Sequence, residues 1–169
     1  MIMTKPTRDS VDTIIEQWTT EHPELDLLPM AIIGRLSRIY KHGSKQLEDC
    51  HLGFGLKQGE FDVLATLRRA GAPHTLTPSE LFNSMMLSSG AMTNRLDRLE
   101  QKGLIRRSHS QEDRRSVLVS LTDKGLHLIN DAVPVHLETE AAMLSGLDNA
   151  QQQQLSQLLQ AWLSQLETR

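Results

Sequence analysis

A chain of 169 residues is long enough for one compact domain or a core domain with added dimerising helices, and at 38% hydrophobic and 23% charged it has the composition of a folded protein and not that of a disordered polymer. It has no run of about 18 apolar residues, so no transmembrane helix is expected, and MIMTKPTRDS lacks the apolar centre of a secretory signal. The formal net charge is -3 and the single Cys50 cannot form an internal disulfide, which together predict a cytoplasmic protein without broad attraction for nucleic acid.

Helix dominates the periodicity. Residues 11–20 place Ile14, Ile15 and Trp18 on one side of a short helix that ends near Pro23. From Leu28 to about Cys50, Ile32, Leu36, Ile39, Tyr40 and Leu47 recur at helical spacing, and Leu52-Gly53-Phe54-Gly55 reads as a break. A third helix is predicted from Lys57 to Ala70, ending at Gly71-Ala72-Pro73. Thr77-Pro78-Ser79-Glu80 has the residues of a capping box with proline at the first helical position, opening a short helix to about Ser84. Ser88-Ser89 then caps a helix to about Lys102, with Gly103 as its left-handed terminus.

The period changes after Gly103. Residues 104–107 and 116–121 are β-prone runs flanking a polar tip that carries Asp113, Arg114 and Arg115, the pattern of a hairpin. Thr122 caps a further helix that passes through Pro134, and Asp148 caps a last one with Leu155, Leu158, Leu159, Trp162, Leu163 and Leu166 apolar. The fold class is therefore mainly α with a small β-hairpin wing. The expected organisation is N-terminal helices over 1–56, a winged helix-turn-helix over 57–121 and C-terminal helices over 122–169.

Between Arg95 and Arg115 lie seven cations and four anions, a local charge of +3 on a remainder of -6. A confined basic element on an acidic body fits a polyanion site. A helix that reads the major groove needs side chains able to pair with base edges and phosphates, and Ser88, Ser89, Thr93, Asn94, Arg95 and Arg98 supply them. Arg114 and Arg115 at the hairpin tip suit a narrow minor groove, with Asp113 orienting a guanidinium. These nine residues are the expected contacts to double-stranded DNA.

At these residues the chain resembles the MarR family of bacterial regulators. Asp113-Arg114-Arg115 and the following Leu121-Thr122-Asp123-Lys124-Gly125 are similar to that family's D-x-R wing and L-T-x-x-G helix start. Residues 96–107 are similar to its R-L-E-x-K-G-L-I-x-R pattern. The resemblance implies a homodimer built by the first and last helices, with two wings spanning a pseudo-palindromic operator. The N-terminal region further resembles the PecS and HucR subgroup, which has an extra first helix and responds to urate. That resemblance rests on Trp18, Leu25-Asp26-Leu27, Ile33-Gly34-Arg35-Leu36, Phe61-Asp62-Val63-Leu64 and Thr93-Asn94-Arg95. It implies a small-molecule effector held by Trp18, Asp62 and Arg95, with Arg107 as a further candidate, and a repressor that this effector releases.

No glycine-rich phosphate loop, nucleophile elbow or H-E-x-x-H motif occurs, so neither an enzyme nor a bound cofactor is expected. His42, Cys50 and His51 fall in one region, which leaves a metal- or redox-responsive regulator of the same fold as one alternative. A winged helix used for protein contacts is another.

Overall fold

The computed structural model describes residues 8–57, 59–85, 92–109 and 116–168. In chain order these form α1 (Ser10–Glu21), α2 (Leu28–Gly53), α3 (Glu60–Arg69), β1 (Thr75–Leu76), α4 (Pro78–Ser84), α5 (Met92–Gln101), β2 (Ile105–His109), β3 (Val117–Leu121), α6 (Asp123–Met143) and α7 (Asn149–Glu167). The predicted class, mainly helical with a small antiparallel sheet, is what the chain forms. No helix among the described residues is long and apolar enough to cross a membrane.

The chain divides into two compact units, residues 1–45 and 46–169. In the first, Asp9 caps α1 by accepting from the Val11 and Asp12 N–H groups, while the Asp12 carboxylate accepts from the Asp9 N–H. Arg35 on α2 donates to both of these carboxylates, at 2.7 Å to Asp9 and 2.5 Å to Asp12. Val11, buried, packs where α2 presents Gly34: a Cβ at Gly34 would come within 3.3 Å of Val11 Cγ1. The Arg35 hydrogen bond is the main cause holding the Asp9 carboxyl below its usual value.

In the second unit, Leu56, Phe61, Val63, Leu64, Leu67, Leu81, Leu96, Leu99, Ile105, Val119 and Ile129 form one buried cluster. It is drawn from α3, α4, α5, both hairpin strands and α6, so each of these elements is fixed by its apolar face. The hairpin forms at the predicted place, but β2 runs on through Ser108 and His109, which the sequence pattern puts in the tip, because both pair with β3: Ile105 stands opposite Leu121 and His109 opposite Val117. Its central strand is β3, because β1 pairs on the other side, Thr75 opposite Ser120 and Leu76 opposite Val119. β1 is not anticipated by the sequence: two residues between a glycine turn and a helix cap carry no periodicity, and their pairing is set 45 residues away by the 2.7 Å contact of the Thr75 and Ser120 hydroxyls.

Two boundaries also differ from expectation. Gly53 stays within α2 as its last residue, and a turn follows through Gly55, whose φ is +69°. α3 begins at Glu60 and not at Lys57, because Gly59 at φ +77° precedes it in a left-handed turn that cannot continue a helix.

Candidate nucleic-acid interface

The Thr77 capping box forms as the sequence predicts, with the Thr77 hydroxyl accepting from the Glu80 N–H at 3.2 Å and the Glu80 carboxylate accepting from the Thr77 N–H at 2.8 Å. It fixes the start of α4, whose Leu81 is fully buried. The segment linking α4 to α5, with Ser88 and Ser89, lies outside the described residues, as do Asp113, Arg114 and Arg115 at the hairpin tip.

α5 presents three faces. Leu96 and Leu99 are buried in the core, with Met92 packed against it. Thr93 and Asn94 are exposed, available to a groove. The third face carries Arg95 and Arg98 and continues to Lys102, a spacing of three and four that keeps them on one side. That side turns toward the start of α3. Arg98 Nε donates to Glu60 Oε1 at 3.1 Å, and Lys102 Nζ donates to Glu60 Oε2 at 2.5 Å and to the Gly55 carbonyl at 2.8 Å.

Glu60 is fully buried and also accepts from the Lys57 N–H at 2.8 Å. Burial pushes its carboxyl up, but the Lys102 hydrogen bond, the Lys57 N–H and the charges of Lys102 and Arg98 outweigh it and hold the group ionised below its usual value. Arg98, expected as a DNA contact, therefore has an internal partner while its side chain remains 40% exposed. No local pattern signals this, since Glu60 reads as an ordinary acid in a helix's first turn.

Arg107 on β2 joins the hairpin to α5. It donates to Glu100 from Nε at 2.9 Å and from its backbone N–H at 3.0 Å, and to Asp97 from Nη2 at 2.7 Å. These bonds hold the Glu100 carboxyl below its usual value and raise Arg107 further above its own. Arg106, the preceding residue, is exposed and forms no ion pair among the described residues.

The three ligand candidates fall as follows. Trp18 is 41% exposed on α1 of the first unit, its ring 5.7 Å from that of His22. Asp62 is half-buried in the first turn of α3, and Arg95 is half-buried on α5, both in the second unit. The Nη1 of Arg95 is buried without a hydrogen-bond partner among the described residues.

A cluster that the sequence does not signal lies where the end of α2 meets α3 and α6. His51, Phe61 and His136 stack, with the Phe61 ring 4.1 Å from His51 and 4.5 Å from His136. His51 Nε2 and His136 Nδ1 stand 3.0 Å apart, and His136 Nε2 is 3.2 Å from Glu140. Burial first, and the neighbouring His136 second, lower His51 against the opposing pull of Asp62 and Glu140. Among the described residues no group of three or more His, Cys, Asp and Glu side chains is arranged to hold a metal ion.

The pattern of the MarR family matches residues 56–117. The chain is 44% identical to the HTH-type transcriptional regulator PecS of Dickeya dadantii (strain 3937), over 88% of this chain and 90% of that one. Among solved structures, a mutant MarR from Escherichia coli complexed with operator DNA superposes with a TM-score of 0.70 at 26% identity, covering 81% of this chain and 97% of that one. Bordetella bronchiseptica BpsR, described as regulated in its DNA binding by 6-hydroxynicotinic acid, superposes with a TM-score of 0.68 at 25% identity. That match covers 76% of this chain and 90% of BpsR.

Proposed function

The chain belongs to the MarR family and is a DNA-binding transcription regulator, and on that premise we propose that it acts as a homodimeric repressor released from its operator by a small planar anion. The observation that carries the DNA-binding part is the side of α5 left open by the fold. Thr93 and Asn94 face solvent beside a hairpin that Arg107 ties to the same helix. In this proposal Ser88 and Ser89 are further contacts to the operator and Asp113, Arg114 and Arg115 enter the minor groove, while Arg95 and Arg98 turn toward the start of α3.

The dimer is supported by apolar surface that the described residues leave exposed. No residue of α7 that is described is buried, and Leu155, Leu159, Trp162 and Leu166, at spacings of four, three and four, form an exposed stripe. α2 likewise exposes Ile32, Ile33, Ile39 and Tyr40. Apolar faces of this extent are covered in solution, and a second copy covers them on a pseudo-palindromic site.

The effector class follows from Trp18, Asp62 and Arg95: an indole for a planar ring, a carboxylate for its N–H groups and a guanidinium for its charge. Urate is the reference compound, and the 6-hydroxynicotinic acid to which BpsR responds has the same planar, anionic character. The test is binding to the DNA upstream of the chain's own gene at two salt concentrations, with and without urate. Tight, salt-sensitive binding weakened by urate supports the whole reading. Indifference to urate in wild type, or an equal response in Trp18→Phe and Asp62→Asn, removes the effector site.

A further inference from the structure

Four described glycines adopt positive φ: Gly55, Gly59, Gly71 and Gly103. For Gly55, Gly71 and Gly103 a Cβ would meet nothing within 4 Å, so the backbone turn alone accounts for glycine there. Gly59 differs. A Cβ at that position would stand 2.3 Å from Arg95 Nε, 2.5 Å from Cζ and 2.9 Å from Nη2. The guanidinium thus lies in the space that a side chain at residue 59 would occupy, directly before α3.

The three cations on this face of α5 are not held alike. Arg98 and Lys102 are anchored by Glu60, whereas Arg95 Nη1 is buried with no partner among the described residues. Arg95 therefore lies against α3 in space that glycine at residue 59 leaves open, and of the three it is the contact with least hydrogen bonding to lose.

We propose that Gly59 is a positioning residue for Arg95: its bare backbone is the seat that holds the guanidinium toward α3 and withholds that charge from the DNA-reading side of α5. The inference rests on the reading of α5 as the DNA helix. A side chain at residue 59 unseats Arg95 and gives the open face of α5 one more cation for phosphate.

The experiment compares wild type with Gly59→Ala, with Gly59→Asn, whose side chain tolerates a left-handed turn, and with Gly71→Ala. The last makes the same backbone demand at φ +82° in open space. The first readout is the Arg95 Nε–H signal by NMR, assigned by its loss in Arg95→Ala. The second is the slope of affinity against salt for a random-sequence DNA duplex. Both Gly59 variants are expected to move the signal toward that of a free arginine and to steepen the log–log salt slope by about one. Adding Arg95→Ala abolishes the steepening, and Gly71→Ala leaves both readouts at wild type.

An Arg95 signal unmoved by both Gly59 substitutions overturns the seat. A moved signal with an unchanged slope, or a steepening that survives Arg95→Ala, overturns its link to DNA. Wild type that binds the duplex without salt dependence sinks the DNA-helix reading itself, while the NMR comparison still decides the seat.

Discussion

A Cβ on Gly125 would stand 1.9 Å from the carbonyl oxygen of Leu104, so α6 starts in direct contact with the turn that ends α5. Thr122 completes the junction: its N–H donates to the Leu104 carbonyl at 3.1 Å, its hydroxyl donates to the Gly103 carbonyl at 2.7 Å, and the same hydroxyl accepts from the Gly125 N–H at 3.0 Å. The L-T-x-x-G signature is this clamp. Gly125→Ala is expected to destabilise the protein by about 3 kcal/mol, since the obstacle is backbone, and Thr122→Ala by about 1 kcal/mol through loss of the cap. Denaturant unfolding measures both. A Gly125→Ala protein as stable as wild type would show that the two segments separate freely.

Glu60→Gln is expected to cost about 2 kcal/mol, because a neutral amide replaces the buried anion bonded by Arg98 and Lys102. The depressed carboxyl contributes stability that is complete above its usual value of 4.5 and is lost as pH falls through the lower folded value. Wild type should therefore lose more stability than Glu60→Gln on acidification below that range. Parallel melting curves down to low pH would contradict the pairing.

His51 titrates with the same sign at higher pH. Its folded value lies below the usual 6.5, so the unfolded chain takes up the proton first and stability falls as pH drops from there. The Nε2 to Nδ1 contact with His136 needs one donor and one acceptor, and two protonated rings supply only donors. His51→Asn should flatten the decline of Tm on the acid side of 6.5, with Asp62 and Glu140 limiting the size of the effect. A decline equal to wild type would place the titrating group elsewhere.

Asn94→Ala is expected to weaken binding to the specific operator by about 1–3 kcal/mol while leaving random-sequence affinity nearly unchanged, the mark of a base contact. Footprinting and competition with random DNA separate the two. Equal losses on both DNAs would make Asn94 a phosphate contact.

Leu159→Glu puts a carboxylate in the middle of the exposed stripe on α7. Light scattering should report a monomer with its helical content kept, and operator affinity should fall with the dimer. A dimer unchanged by this substitution would move the interface off α7.

What could be read beforehand was the chemistry that acts over a few residues. The Thr77 capping box is complete within four positions. At Gly103, at φ +68°, the α5 terminus closes with Leu104 N–H on the Leu99 carbonyl and Gly103 N–H on the Glu100 carbonyl, again a local pattern. What stayed hidden depends on distant partners. Arg98 reads as a DNA contact and Lys102 as one more cation of the basic stretch until Glu60, 38 and 42 residues away, is seen to bond both. His51 reads as a neighbour of Cys50, yet its ring meets His136 across 85 residues of chain.

The burial of Glu60 bears on how such a regulator searches a genome. An operator competes with a vast excess of other sequence, and occupancy depends on the ratio of specific to non-specific affinity. By accepting hydrogen bonds from Arg98 and Lys102, buried Glu60 offsets two charges that, on the proposed reading of α5, would otherwise grip every stretch of phosphate alike. On that proposal α5 dwells less on the wrong sequences, and discrimination falls to side chains such as Asn94, the proposed base contact.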